Sequence, residues 1–306
     1  MSEPISPKRE MSALEIATAS EKKRAAERIE LGLSNPPSPH SSRFSVLQQM
    51  QLPYISEEKT IVLNDLVRSS LFNTKVMGER VRFKEEKVFS FENLSIIYTG
   101  EELRQRDADV YFAIFKAGQG QQIGPNNPYI RLTAWQLLGL VGWTRNTNSV
   151  KELRDVLLRL QGAIIKVKRT NRNTPTKSDN YQGNLIMEML FEEVDDMVEG
   201  NNWKICINTN IAGQLQPGKM SFLDSETRKK LRRPLGKALH AFFSTHSEPF
   251  AMKIEKLHGI TGSGLTLRRF RFNLKKECDE MKNLGFLKSW VIDQTDKLLV
   301  ERTGKE

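Results

Sequence analysis

Arg268, Arg269, Arg271, Lys275 and Lys276 crowd into residues 268–276 of the run TLRRFRFNLKKECDEM. At that spacing they make and break no bonds. They offer fixed positive charge, and arginine forks match phosphate oxygens and the guanine edge. Stepping 100° per residue from Thr266 puts Leu267, Phe270, Leu274, Cys278 and Met281 on one stripe. Arg268, Arg271, Phe272, Lys275, Lys276 and Asp279 fall opposite, with Arg269 on the flank. A helix that buries one stripe and turns cations outward can enter a major groove, phosphate contacts supplying affinity and base edges specificity. Phe272, amid the cations, has two open readings: contact with a thymine methyl, or packing on the first of two modules in the chain. A solvated amphipathic helix is the competing account of the whole run.

A second set lies upstream. NSVKELRDVLLRLQ at 148–161 reads as a helix with Val150, Leu153, Leu157 and Leu160 inward and Asn148, Lys151, Glu152, Asp155 and Arg159 outward. Of these, Asn148, Lys151 and Arg159 are the candidate DNA contacts. After it come a strand at 163–169, a polar loop at 170–180 and a return strand at 181–191. Lys168, Arg169, Arg172 and Lys177 on this wing are candidates for phosphate or minor-groove contact, with a solvated hairpin as the alternative for any one of them.

Other chemistries are weakly represented. GQLQPGKM at 213–220 has phosphate-loop spacing, but Met220 stands where a hydroxyl should hold Mg²⁺ and Pro217 removes a backbone donor. The carboxylates Glu192, Glu193, Asp195 and Asp196 have no histidine nearby and read as a solvated edge. His40, His240, His246 and His258 show no metal-ligand spacing, and none forms the histidine pair of a strand-nicking enzyme. The expectation is no enzyme, no metal and no cofactor.

The elements that must position these residues follow from the flanks. A short helix and a Gly-Ser-Gly turn precede 266–283, Gly285 ends that helix, and 286–293 with 297–302 read as a hairpin. Upstream, Thr133 caps a short helix before the turn at Gly142, so the same order of parts occurs twice. A further helix is expected at 100–117, opened by a Thr99–Glu102 capping box, and another near 225–246, where Pro234 kinks or starts it. The fold class is therefore α+β: two tandem winged-helix domains, 56–215 and 216–306, behind a disordered or partly helical tail at 1–55. Within that tail, QQMQLPYI at 48–55 reads as linker, with docking into a partner's groove as the alternative. Strand-like segments at 88–98 and 203–212 exceed what a winged helix needs, and predict an open sheet edge that a second copy could cover.

With 306 residues, a net charge of +10 and a pI near 9.5, the chain suits an anionic partner. It carries no apolar run long enough for a membrane span and no signal-peptide core at its start. Cys206 and Cys278, both in apolar patterns, are expected to be reduced core residues of a cytoplasmic protein.

From about residue 53 onward the chain resembles the TrfA family of plasmid replication initiators. The resemblance is carried in order by LNDLVRSSLFNTK (63–75), SIIYTGEELRQRDADVYFAI (95–114), LTAWQLLGLVGW (132–143), RRPLGKALHAFFSTHSEPFAMKIEKLHG (232–259) and LRRFRFNLKKECDEMKNLGFL (267–287). It implies binding to double-stranded repeats (iterons) at an origin and opening of adjacent AT-rich DNA, whose single strand becomes a further ligand. It also implies recruitment of the host initiator DnaA, the replicative helicase and the sliding clamp, and a dimer that is the inactive or plasmid-pairing form while the monomer is active. A transcriptional repressor built from the same two domains, without replication activity, is the rival reading.

Overall fold

The computed structural model describes residues 50–51, 56–91, 94–123, 127–170, 178–191, 202–208, 218–246 and 251–304. All of them belong to one unit, Gln49–Glu306. The expectations for residues 1–49 of the tail, the acidic run and the loop 171–177 lie outside the described residues, as does most of the phosphate-loop-like run; Met50–Gln51 of the tail form a strand paired with Gln122–Ile123.

The first half opens with β1 (Met50–Gln51), β2 (Lys59–Leu63), the single turn α1 (Asn64–Val67) and β3 (Phe72–Asn73). β4 (Arg82–Val88), β5 (Leu94–Glu101), β6 (Leu103–Arg104) and α2 (Gln105–Ala117) follow. β7 (Gln122–Ile123) and β8 (Tyr129–Thr133) lead into α3 (Ala134–Val141) and α4 (Thr147–Gly162). β9 (Ile164–Thr170), β10 (Ser178–Asn184), β11 (Ile186–Phe191) and β12 (Asn202–Ile207) complete this half. The second half runs β13 (Met220–Asp224), α5 (Ser225–Lys230), α6 (Pro234–Ser244), β14 (Met252–Lys253), α7 (Ile254–Ile260), α8 (Leu267–Asn283), β15 (Leu287–Ile292) and β16 (Lys297–Arg302).

Local chemistry accounts for the helix boundaries. Thr133 caps α3 by accepting from the Gln136 N–H, and Gly142 ends it at φ 76, a left-handed conformation glycine adopts without strain. Asn146 caps α4 and Thr266 caps α8 in the same way. Pro234 sits in the first turn of α6, where its missing N–H costs nothing.

Three expectations are corrected. The helix read from residue 100 starts at Gln105, because β5 continues to Glu101 and Gly100 holds φ 148 against the Tyr98 hydroxyl. Glu102 is not its capping residue; Asp107 is, accepting from the Arg104 N–H at 2.7 Å. The return strand read at 181–191 divides at Leu185, β10 pairing with β9 and β11 with β12 in a different sheet. The segments read as an open edge are interior: β5 lies between β9 and β4, and β12 between β11 and β8. Their backbone groups are already paired, so neither offers an edge to a second copy.

Buried apolar side chains form two clusters. One gathers around α2, α3 and α4, with Tyr111, Phe115, Leu153, Leu157 and Trp203 among its members. The other gathers around α6 and α8, where Phe270, Leu274, Cys278 and Met281 meet Leu239, Phe242 and Leu257. The predicted inward stripe of α8 is thus the observed core stripe, except that Leu267 is half-buried. Cys206 and Cys278 are both buried and unpaired. The halves are joined by β2 and β13, antiparallel from Leu63 opposite Met220 to Lys59 opposite Asp224.

Candidate nucleic-acid interface

α8 rests on α7 through a turn pinned from beneath, where the His258 imidazole meets the Leu265 carbonyl at 2.7 Å and stands edge-on to Phe270. That packing turns Arg268, Arg269, Lys275 and Lys276 into solvent along one side of the helix. Phe272 stands among them, 59% exposed, with the Lys276 ammonium 4.3 Å from its ring centroid. Among the described residues, exposure of this degree argues against the reading that packs Phe272 on the first half of the chain.

Arg271 is placed differently from its neighbours. Its Nε and Nη2 donate to the two carboxylate oxygens of Asp296 at 3.0 and 2.6 Å. Asp296 sits in the β15–β16 turn at φ 59, so this fork ties the hairpin to the helix. Trp290 adds a second tie, its Nε1 donating to Asp279 at 3.0 Å. A third fixed point lies underneath. Glu277, on the buried side of α8, meets Arg233 at 3.3 Å, and burial pushes its carboxyl above the usual range despite that arginine.

α4 presents fewer cations than α8. Asn148 and Lys151 are exposed on α4, and Lys168 is exposed on β9. Arg159 instead turns inward, its side chain 15% exposed, donating through Nε and Nη2 to Asp107 Oδ1 at 3.0 and 2.9 Å. Asp107 is fully buried and also receives Arg80 at 2.8 Å. Arg169 is half-buried and paired with Asp65. These two guanidinium groups brace the scaffold in this structure. Arg172 and Lys177 lie outside the described residues.

Helix, turn, cation-bearing helix and antiparallel hairpin thus occur twice in one unit, with no group of three or more metal-ligating side chains among the described residues. No helix among them is long and apolar enough to cross a membrane. A family model described as TrfA protein matches residues 44–299. The chain belongs to the TrfA family. It is similar to the plasmid replication initiator protein TrfA of Escherichia coli, 24% identical over 235 residues that cover 75% of this chain and 59% of that protein. This TrfA-family chain thus spans well under two thirds of that relative's length. Among solved structures, domains 2 and 3 of RctB match with a TM-score of 0.53 and 14% identity, over 76% of this chain and 95% of that one. The Pi initiator protein, crystallised with iteron DNA, matches with a TM-score of 0.52 and 10% identity, over 82% of this chain and all of the other. The mixed α/β fold is therefore shared with RctB domains 2 and 3 and with the Pi initiator protein.

Exposed polar residues that a count by helical face passes over lie at the start of α4. Thr144, Arg145 and Thr147 are exposed in the turn before and the first position of that helix. The N-terminal end of a recognition helix is where base edges are met. The available signal was the polar run TRNTNS between two apolar segments, which a count of charges along the helix passes over.

Proposed function

We propose that this chain is a plasmid replication initiator that binds repeated origin DNA through two winged-helix domains, divided near residue 216. The observation that carries it is the doubled helix–turn–helix and hairpin in one unit, with α8 turning Arg268, Arg269, Lys275 and Lys276 to solvent. Family membership and the Pi–iteron likeness support the same reading. α8 supplies most phosphate charge, with Phe272 set to meet a thymine methyl. α4 reads through Asn148, Lys151 and the polar residues at its start. Opening of AT-rich DNA, contacts with the host DnaA, helicase and clamp, and a cytoplasmic monomer–dimer cycle belong to the same proposal, as does the absence of enzymatic activity. Two reading helices in one chain should protect roughly 20 base pairs, about two turns, on one face of the duplex.

A footprint on the plasmid origin, followed by permanganate probing of the adjacent AT-rich stretch, tests this. Protection over two turns with new permanganate-reactive thymines is the expected result. Protection over a single turn would overturn the tandem reading, and protection without opening would leave the repressor.

A further inference from the structure

Residues 74–81, TKVMGERV, form a loop whose base is held rigidly while its tip is bare. The Thr74 N–H donates to the Thr261 carbonyl at 3.1 Å, and Lys75 Nζ to Glu102 at 2.6 Å. Arg104 reaches the Gly78 and Glu79 carbonyls at 2.9 and 3.2 Å, and Arg80 meets buried Asp107 at 2.8 Å. Burial works against ionisation of Glu102, yet Lys75 and Arg104 outweigh it and hold its carboxyl below the usual range. Above this base Val76 is 70% exposed and Met77 87% exposed. Folding gains nothing by leaving two adjacent large apolar side chains in water, so a purpose outside the fold is indicated.

The position of the loop identifies the partner. On one side Lys75 lies beside Gly264, in the turn that leads into α8. On the other side Arg80 shares Asp107 with Arg159 of α4. The loop thus touches the turn before α8 on one side and, through Asp107 of α2, is linked to the C-terminal half of α4 on the other. Helices set in successive major grooves on one face leave a minor groove between them. An apolar tip is what a minor-groove wedge inserts, and Arg82 and Lys84 on the following strand are exposed to meet phosphate, although Glu79, Glu85 and Glu86 are exposed beside them.

We propose that residues 74–81 are a third DNA contact, placing Val76 and Met77 in the minor groove between the segments read by α4 and α8. This rests on the function proposed above. The test uses the full chain and a duplex that it selects from a random-sequence pool. Dimethyl sulfate reports major-groove protection and hydroxyl radicals report the minor groove. The Val76→Ser/Met77→Ser double variant should fold with an unchanged melting temperature, since neither side chain is buried. It should keep both major-groove protections, lose the hydroxyl-radical protection between them and bind roughly tenfold more weakly. If the unaltered chain selects no duplex or shows no major-groove protection, the functional reading itself fails. If the variant keeps the central protection and its affinity, the wedge is wrong while that reading stands. A variant that binds DNA as before but no longer captures a host replication protein would equally overturn the wedge and assign the tip to a protein.

Discussion

Arg159→Ala separates what the helical face suggests from what the packing does. On α4 the residue occupies the side that carries Lys151, yet its guanidinium sits on a carboxylate with no exposure at all. Removing one partner from a buried pair costs about 3–5 kcal/mol when the remaining charge is stranded. Asp107 would not be stranded, for it keeps Arg80 at 2.8 Å and the Arg104 N–H at 2.7 Å. Roughly half the penalty, ~2 kcal/mol, is therefore the expected loss. At about 2–4 °C per kcal/mol for a unit of this size, the melting temperature should fall by about 4–8 °C. The slope of log affinity against log salt should hardly move, because this arginine is not spent on phosphate. Lys151→Ala is the control: exposed and without structural duty, it should leave melting unchanged and flatten the slope by about one. Thermal melts and a salt titration on the same duplex decide it. An Arg159→Ala protein that melts normally but loses salt dependence would show that the ion pair opens to release a DNA contact.

Two further substitutions follow the same logic. Because Asp296 occupies the Arg271 fork, Arg271→Ala should flatten the salt slope less than Lys275→Ala; equal slopes would mean the pair parts on DNA. His240 is fully buried, neither ring nitrogen has a hydrogen-bond partner, and burial with the charges of Arg228 and Arg302 holds its pKa well below the ordinary 6.5. With the folded value depressed, the unfolded chain takes up a proton first as pH drops. Stability is then undiminished above about pH 6.5 and falls below it. His240→Leu should stabilise by ~1 kcal/mol and remove that acid sensitivity, in urea midpoints at pH 7.5 and 5.5. A leucine variant that is weaker at pH 7.5, or equally acid-sensitive, refutes this account.

The parts legible in the sequence were those set by neighbours a few residues away. The α8 stripe, the cap Thr133, the stop at Gly285 and the terminal hairpin all depend on local spacing. What stayed hidden was fixed by partners far along the chain. Arg159 looks outward by helical period, but Asp107 reaches it from 52 residues away, and Arg169, on the inward face of its strand with Ile165 and Val167, is taken by Asp65 from 104 residues away. β4, with its charged sequence RFKEEKV and mostly exposed side chains, carries no alternation to betray it and is a strand because β5 pairs with it. That same pairing closed the edge from which a dimer contact had been inferred.

If the chain grips two grooves, as proposed above, its readers must be held in phase, since each base pair of misplacement rotates the target by about a tenth of a turn. The join between the halves is built for that. Apolar surfaces alone slide at little cost, whereas a buried charge must find its partner in one geometry. Asp109 of α2 accepts Arg228 of α5 at 2.7 Å and Lys237 of α6 at 2.6 Å, and Arg228 also meets Gln105 at 3.0 Å. All but Lys237 are buried, so this cluster adds little net stability over an apolar join, yet it penalises every other docking of the halves. The β2–β13 pairing fixes the remaining freedom by register. Phase between α4 and α8 is thus set by polar contacts at the join of the halves, far in sequence from either reading face, which is why the cations on those faces could be read from the sequence and their spacing could not.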